Sequence, residues 1–333
     1  MRGSILMLNG LVDCKPNNDT IPLRGGIDIK RNDGLTGTIH FDWREDQMLL
    51  KMMLLYLLLF LPIVQSTVHC VRINFSRTSL KIKYLIKCFL RTSRNSQYVL
   101  QVNTNEEPKV SLRGSEQMYF ELKITSDKRK NGMRKHKKCM FNEKIDTFWI
   151  HSEDVINEWM NLVKTAIEIF KFIEHIVIFH IDTFPMRNKD IVDFIKSLTP
   201  SIESCDFHGE TETDEDVEYF LNNLNVTEFV GFNLKLSDHF TFPQDNFLEG
   251  FTIDPGNWLT FDKLLRLKGS EFYIHDSPIT NQELNLFLLL WMTSQCHQNL
   301  GYLLININDP QSLVTIFNLP HERINPDVER IGR

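Results

Sequence analysis

The densest set of groups able to do chemistry is His208-Gly209-Glu210-Thr211-Glu212-Thr213-Asp214-Glu215-Asp216, an imidazole followed by a run of carboxylates. A metal site needs such carboxylates to converge on one point. Here Asp214, Glu215 and Asp216 fall in the first turn of an expected helix, where the helix dipole favours negative charge, so a structural role is expected for them. His175 and His180 stand five residues apart on an expected strand. That spacing sends them to opposite faces of a sheet, so they cannot share one metal ion, and one of them is expected to be a packed core histidine. The cysteines Cys14, Cys70, Cys88, Cys139, Cys205 and Cys296 are scattered, without CxxC spacing or a companion histidine pair. Neither a structural zinc site nor a disulfide scaffold has that pattern; it fits reduced, buried thiols of a cytoplasmic or nuclear protein. No serine occupies a G-x-S-x-G elbow, and neither G-x-G-x-x-G nor G-x-x-x-x-G-K-[ST] occurs. The residues therefore predict no catalytic group, no cofactor and no metal.

Composition narrows the class further. The chain has 333 residues, 42% apolar and 24% charged, which is the ordinary globular range and enough for one large or two moderate domains. A formal net charge of -6 argues against broad nucleic-acid binding, because a phosphate-binding surface needs a positive excess. The local exception is Lys128–Lys138, KRKNGMRKHKK. A nuclear-localisation or nucleic-acid patch is one reading of it. A solvated hairpin loop between two strands is the favoured one, because no aromatic platform accompanies the charge.

Met48–Val64, MLLKMMLLYLLLFLPIV, is the strongest purely compositional signal. Its apolar core is shorter than the ~20 residues a bilayer-spanning helix requires. If translation began at Met48, the run to Ser66 would serve as a signal or anchor, and Asn74-Phe75-Ser76 and Asn225-Val226-Thr227 would become glycosylation sequons. The 47 preceding residues favour a buried core helix instead.

The elements that must position these groups follow from periodicity. Residues 1–47 have no sustained period and are expected to be poorly ordered. Strands are expected at Gln97–Val102 and Met118–Ile124, and an amphipathic helix at Asp154–Phe172 with Val155, Trp159, Leu162, Val163, Ile167 and Phe170 on its apolar face. Beyond it, strands at His175–Asp182, Ile202–His208, Glu228–Leu236, Phe247–Ile253, Glu271–His275 and Gly301–Asn306 alternate with helices at Lys189–Leu198, Asp214–Leu224, Thr260–Leu267 and Thr280–Cys296. No helical pattern separates the third and fourth of these strands. Capping boxes are expected at Thr213–Asp216 and Thr280–Glu283. Strand starts recur every ~20–30 residues, the spacing of leucine-rich-repeat-like units. The expected fold class is α/β: irregular leucine-rich-repeat-like strand–helix repeats, a parallel sheet with helices outside, preceded by a small helical segment. Trp258 and Trp291, with apolar neighbours, read as core anchors.

The segments Asn257-Trp258-Leu259-Thr260-Phe261-Asp262-Lys263-Leu264-Leu265 and Ile279-Thr280-Asn281-Gln282-Glu283-Leu284-Asn285-Leu286-Phe287-Leu288-Leu289-Leu290-Trp291 resemble the C-terminal signature of the nematode type-2 F-box-associated domain. Ile156–Lys171, with Trp159 as its anchor, is similar to an earlier segment of that family. The resemblance runs from about Gln97 to Leu319 and marks Trp159, Trp258, Leu264, Asn285, Phe287 and Trp291 as structural signature residues. Upstream, Leu61-Pro62-Ile63-Val64 and Ile73–Lys83 resemble the two ends of an F-box whose middle is shortened.

The resemblance implies four segments: 1–47, a helical degenerate F-box at 48–92, the F-box-associated α/β domain at 97–319 and a tail at 320–333. It further implies a non-enzymatic substrate-recognition subunit of an SCF-type E3 ubiquitin ligase. A Skp-type adaptor would be held by Leu61, Pro62, Ile63, Val64, Phe75 and Ser79, and an unidentified target protein by the α/β domain. The alternatives are a secreted or membrane-anchored glycoprotein using 48–66, and a binding module that has lost adaptor binding.

Overall fold

The computed structural model describes residues 24–30, 36–42, 98–114, 118–138, 144–306 and 312–319. Two compact units divide the chain, Met1–Val68 and His69–Arg333. In the first, β1 (Arg24–Lys30) pairs antiparallel with β2 (Thr36–Asp42). This hairpin lies inside the segment expected to be poorly ordered, where the alternations Ile27-Asp28-Ile29 and Ile39-His40-Phe41 are too short to form a sustained period. The rest of 1–47, the apolar run 48–64 and the expected F-box helices to residue 92 lie outside the described residues.

The second unit is built on one 11-stranded sheet. Its strands are β3 (Tyr98–Asn103), β4 (Lys109–Arg113), β5 (Met118–Thr125), β6 (Arg134–Lys138), β7 (Lys144–His151), β8 (Phe172–His180), β9 (Ser201–His208), β10 (Asn225–Asn233), β11 (Leu248–Ile253), β12 (Gly269–Ile274) and β13 (Tyr302–Ile305). They lie in the order β13-β12-β11-β10-β9-β8-β3-β4-β5-β7-β6. From β8 to β13 spatial order follows chain order and every pairing is parallel, with β3 joining parallel to β8. The helices are α1 (Val155–Ile169), α2 (Asn188–Leu198), α3 (Asp214–Asn223), α4 (Phe261–Arg266), α5 (Asn281–Met292) and α6 (Ser312–Ile316). As expected, the β10–β11 connection carries no helix, and Phe240 from that connection is fully buried in place of one.

The parallel half is held by two rows of inward side chains. Val177, Cys205, Val230, Phe251 and Phe272 stand in one register, and Phe179, Phe207, Phe232, Ile253 and Ile274 in the next. All are buried. Alternation along each strand sends these residues to one face, and the helices cover that face. Phe220 of α3 wedges against Phe179 and Phe207 at 5.3 and 4.9 Å between ring centres. Trp258 packs edge-on to Phe232, and His297 lies between Phe272 and Phe287 of α5. A fully buried Phe or Ile contributes about 1.5–3 kcal/mol relative to exposure, so these rows are the main cohesive term of the sheet.

Several expectations are corrected. Helix α1 buries Ile156, Trp159, Leu162, Val163, Ala166 and Ile169, while Val155 and Ile167 are only half-buried. The stripe is rotated because small Ala166, not Ile167, meets the sheet. The basic segment is not one loop: Arg134–Lys138 forms the outer strand β6, antiparallel to β7. Strand β4 was not anticipated, Lys109–Arg113 having only five residues, and β7 was implied only as the strand following the basic segment, without bounds. Of the capping boxes, Thr280–Glu283 is complete, whereas Thr213 makes no cap hydrogen bond and its hydroxyl is buried without a partner. Cys205 is buried, but Cys296 is half-exposed.

Trp159 is the anchor between α1 and the antiparallel half, fully buried with Nε1 donating to the Lys109 carbonyl at 3.2 Å. Trp159→Ala is expected to lose about 3–5 kcal/mol of stability, and Thr280→Ala only about 0.5–2 kcal/mol, as read from denaturant midpoints.

Candidate functional site

The carboxyl ends of β8, β9 and β10 open into a shallow cleft of about 560 Å³ lined by His180, Asp182, Thr183, His208, Gly209, Glu210, Thr211 and Asn233. Ligands of open parallel sheets are commonly received at this end of the strands. Alternation places His180, His208 and Asn233 on the face opposite the phenylalanine rows, where they stand in one register. The rings of His180 and His208 stack at 4.8 Å between centres and 15° between planes. Below them, Asp206 is beside Gly231 in register. A Cβ on Gly231 would collide with the Asp206 carboxylate, so the missing side chain makes the room that this acid occupies.

Electrostatics here are set mainly by burial. His180 is pushed down to about 4 by burial, then by neighbouring His208 and Lys109. Burial also lowers His208, against the pull of Asp206. Asp206 is raised by burial, with His208 opposing. Both imidazoles are thus neutral near pH 7. Burial alone would raise Asp182, but Thr211 Oγ1 and the Glu210 and Thr211 amides donate to its carboxylate and hold it below its ordinary value. Asp182 is the clasp of the loop after β9.

The sequence-level carboxylate cluster is pulled apart. Asp214 accepts from the Ser237 amide at 3.0 Å and from its hydroxyl, fixing the chain after β10. Asp216 accepts from Asn188 at 2.7 Å, bridging α2 and α3. Among the described residues no three His, Cys, Asp or Glu side chains are grouped to hold a metal. His175 does lie on the other face from His180, yet neither is a core histidine. His175 sits near Glu203 at 3.3 Å, and His180 is half-buried in the cleft. The packed histidine is His297, whose Nε2 is 3.1 Å from the Leu264 carbonyl. Nothing in its local sequence signals burial.

The cleft offers hydrogen-bonding groups and a flat ring stack, with no nucleophile hydrogen-bonded to a base. The Thr211 hydroxyl is engaged by Asp182, and the Cys205 thiol is buried on the helix side and raised by that burial.

The signature positions are placed as follows. Trp258, Leu264 and Phe287 are fully buried. Asn285 donates to the Ile316 and Asn318 carbonyls at 2.9 and 3.2 Å, tying α5 to the C-terminal helix α6. Trp291 is 39% exposed, not a core anchor. Helix α5 is apolar on every side but has one sheet-facing side, filled by Leu284 and Phe287. The proposed adaptor contacts Leu61, Pro62, Ile63, Val64, Phe75 and Ser79 lie outside the described residues.

Residues 239–305 match a family model described as F-box associated. This match supports an F-box-associated domain at the end of the sheet, spanning β11, α4, β12, α5 and β13. It includes Trp258, Leu264 and Phe287, which bury the last helices. No curated protein and no solved structure gives a significant match. No described helix is long and apolar enough to cross a membrane.

The depressed His180 makes stability pH-dependent with a definite sign. Its folded value of about 4 is below the ordinary 6.5, so the unfolded chain takes up the proton first. The stability associated with neutral His180 is therefore present above about pH 6.5 and lost as pH falls towards 4. The drop in melting temperature from pH 7 to pH 5 is expected to be smaller in His180→Gln than in the parent chain.

Proposed function

We propose that this protein is a non-enzymatic recruiting subunit of an SCF-type E3 ubiquitin ligase, its α/β domain holding a target while an N-terminal F-box remnant engages a Skp-type adaptor. The observation that carries this reading is the F-box-associated match at 239–305. The absence of a nucleophile–base pair from the described cleft is compatible with it. In this role the protein performs no chemistry. It raises the local concentration of the target near the ubiquitin-charged partner, which speeds transfer without a new catalytic group.

A broad sheet whose side opposite the helices mixes polar groups with half-buried Ile176, Ile178, Phe229 and Tyr273 suits target binding, and the successive strand–helix units are read as an irregular leucine-rich-repeat-like array. The adaptor half of the proposal rests on Leu61-Pro62-Ile63-Val64, Phe75 and Ser79, whose types would present one apolar surface to the adaptor. The proposed compartment is cytoplasmic or nuclear.

Co-purification with a Skp-type adaptor tests this. The full chain is expected to retain the adaptor, and a Leu61→Ala/Ile63→Ala/Phe75→Ala variant to lose most of it. Failure of the parent chain to retain adaptor would leave a binding module without ligase function. A glycosidase-sensitive shift in mobility would instead establish the secretory alternative.

A further inference from the structure

The two edges of the 11-stranded sheet are unlike. Strand β6 closes one edge with Arg134-Lys135-His136-Lys137-Lys138, and cationic side chains keep an edge from recruiting another strand. Strand β13 closes the other with Tyr302-Leu303-Leu304-Ile305. It pairs parallel with β12 and, among the described residues, with no strand on its outer side. Its outward N–H and C=O groups are a template for a further strand, and no charge guards them.

The surface beside β13 is as bare of charge as the strand. From Asn281 to Leu319 the described residues include no lysine or arginine, and the one carboxylate, Glu283, is closed into the capping box with Thr280. Burial holds His297 below its ordinary value, so it is neutral near pH 7. Apolar side chains take the place of charge. Seven of the eleven large apolar side chains exposed among the described residues lie between Leu286 and Phe317, so exposure is concentrated at this end of the sheet. Met292 of α5, Val314 of α6 and Phe317 just after it are 54, 80 and 61% exposed. Asn285 ties α5 to α6, so the two helices carry these side chains together. Seven side chains so exposed leave roughly several hundred Å² of apolar surface per copy, the scale of the ~800 Å² that each partner brings to a standard interface. Surface of that kind marks an association site.

Symmetry and charge select the occupant. A twofold contact sets each patch against its own copy, so a charged patch repels itself and an uncharged one does not. Pairing β6 antiparallel with a second β6 would set Lys135 against Lys137. Pairing β13 antiparallel with a second β13, with Leu303 on the axis, opposes Tyr302 to Leu304 and Gly301 to Ile305. That arrangement keeps the helix-covered face of both copies on one side, so α5 and α6 of one copy lie on the same side as those of the other. A charged partner finds nothing here to pair with.

We propose that the β13 edge, with the exposed sides of α5 and α6, is the surface through which two copies of this chain associate, joining their sheets across a twofold axis. The pairing does not rest on the ligase role. In the recruiting role proposed above, it offers a target two binding domains at once, which raises avidity for a target carrying two recognised segments.

The test uses the purified full chain, its mass followed by light scattering from about 0.1 to 10 μM. At the top of that range the mass is expected to be twice the 39.2 kDa of one chain, falling towards one chain on dilution. Tyr302→Lys/Val314→Lys sets like charges across the axis at two exposed positions and is expected to raise the dissociation constant at least about tenfold. Met133→Lys/Met186→Lys adds the same charge at exposed methionines outside β13, α5 and α6 and is expected to change it less than about twofold. Matching circular dichroism spectra establish that both variants fold. Amide hydrogen exchange at Tyr302–Ile305 is expected to slow from the dilute to the concentrated chain, because the outward N–H groups gain partners. A single-chain mass throughout overturns the proposal, and slow exchange at these amides in that monomer assigns the edge to another segment of the same chain. An open-ended rise in mass, equal losses in the two variants, or a pair whose Tyr302–Ile305 amides stay unprotected overturns it as well.

Discussion

The parallel half of the sheet depends on keeping two registered rows of large apolar side chains dry. Phe179, Phe207, Phe232, Ile253 and Ile274 form one row, with Val177, Cys205, Val230, Phe251 and Phe272 beneath it. Strand period sends each of these to the same side, and a slip of one residue would expose a whole strand's contribution. Covering that side fixes the position of the helices. Phe220, Trp258 and Phe287 are the contacts through which α3, the segment before α4, and α5 are seated. The opposite face then has to carry the polar and half-buried residues, including His180, His208 and Asp206.

This division explains why carboxylates clustered in the sequence do not converge on one point. Asp182, Asp214 and Asp216 are spent on chain geometry: each accepts hydrogen bonds from a neighbouring element. A carboxylate that accepts donors from a neighbouring element becomes a joint between the two.

The antiparallel half plays a different part. Trp159 crosses from α1 to the Lys109 carbonyl, and Glu107 links Lys130 with Trp149 by bonds of 2.6 and 3.1 Å. The outer strand β6 is a run of cationic residues, a composition that discourages further edge pairing. The far edge, β13, is Tyr302-Leu303-Leu304-Ile305 and has no such guard.

The alternation of strands and helices from residue 172 onward was legible because each element carries its own period, 2 or 3.6, in its apolar residues. So were the helix-free β10–β11 connection, the capping box at Thr280, and the failure of His175 and His180 to meet. Strands β4 and β6 and the bounds of β7 were not legible, because edge and antiparallel strands are stabilised by cross-strand neighbours that local sequence does not name. Burial was legible for Trp258 and misleading for Trp291, since an apolar neighbourhood states only that a helix has apolar surface. Which side meets a sheet is a tertiary fact. The ring stack of His180 on His208, the packing of His297 between Phe272 and Phe287 and the Asp206–Gly231 contact likewise required long-range register. By itself the sequence determined the element types in the parallel half, its lack of a catalytic motif and its likeness to an F-box-associated domain. Only the tertiary structure decided which charges are fastened and which are free, because hydrogen-bond partners distant in sequence are chosen by the fold.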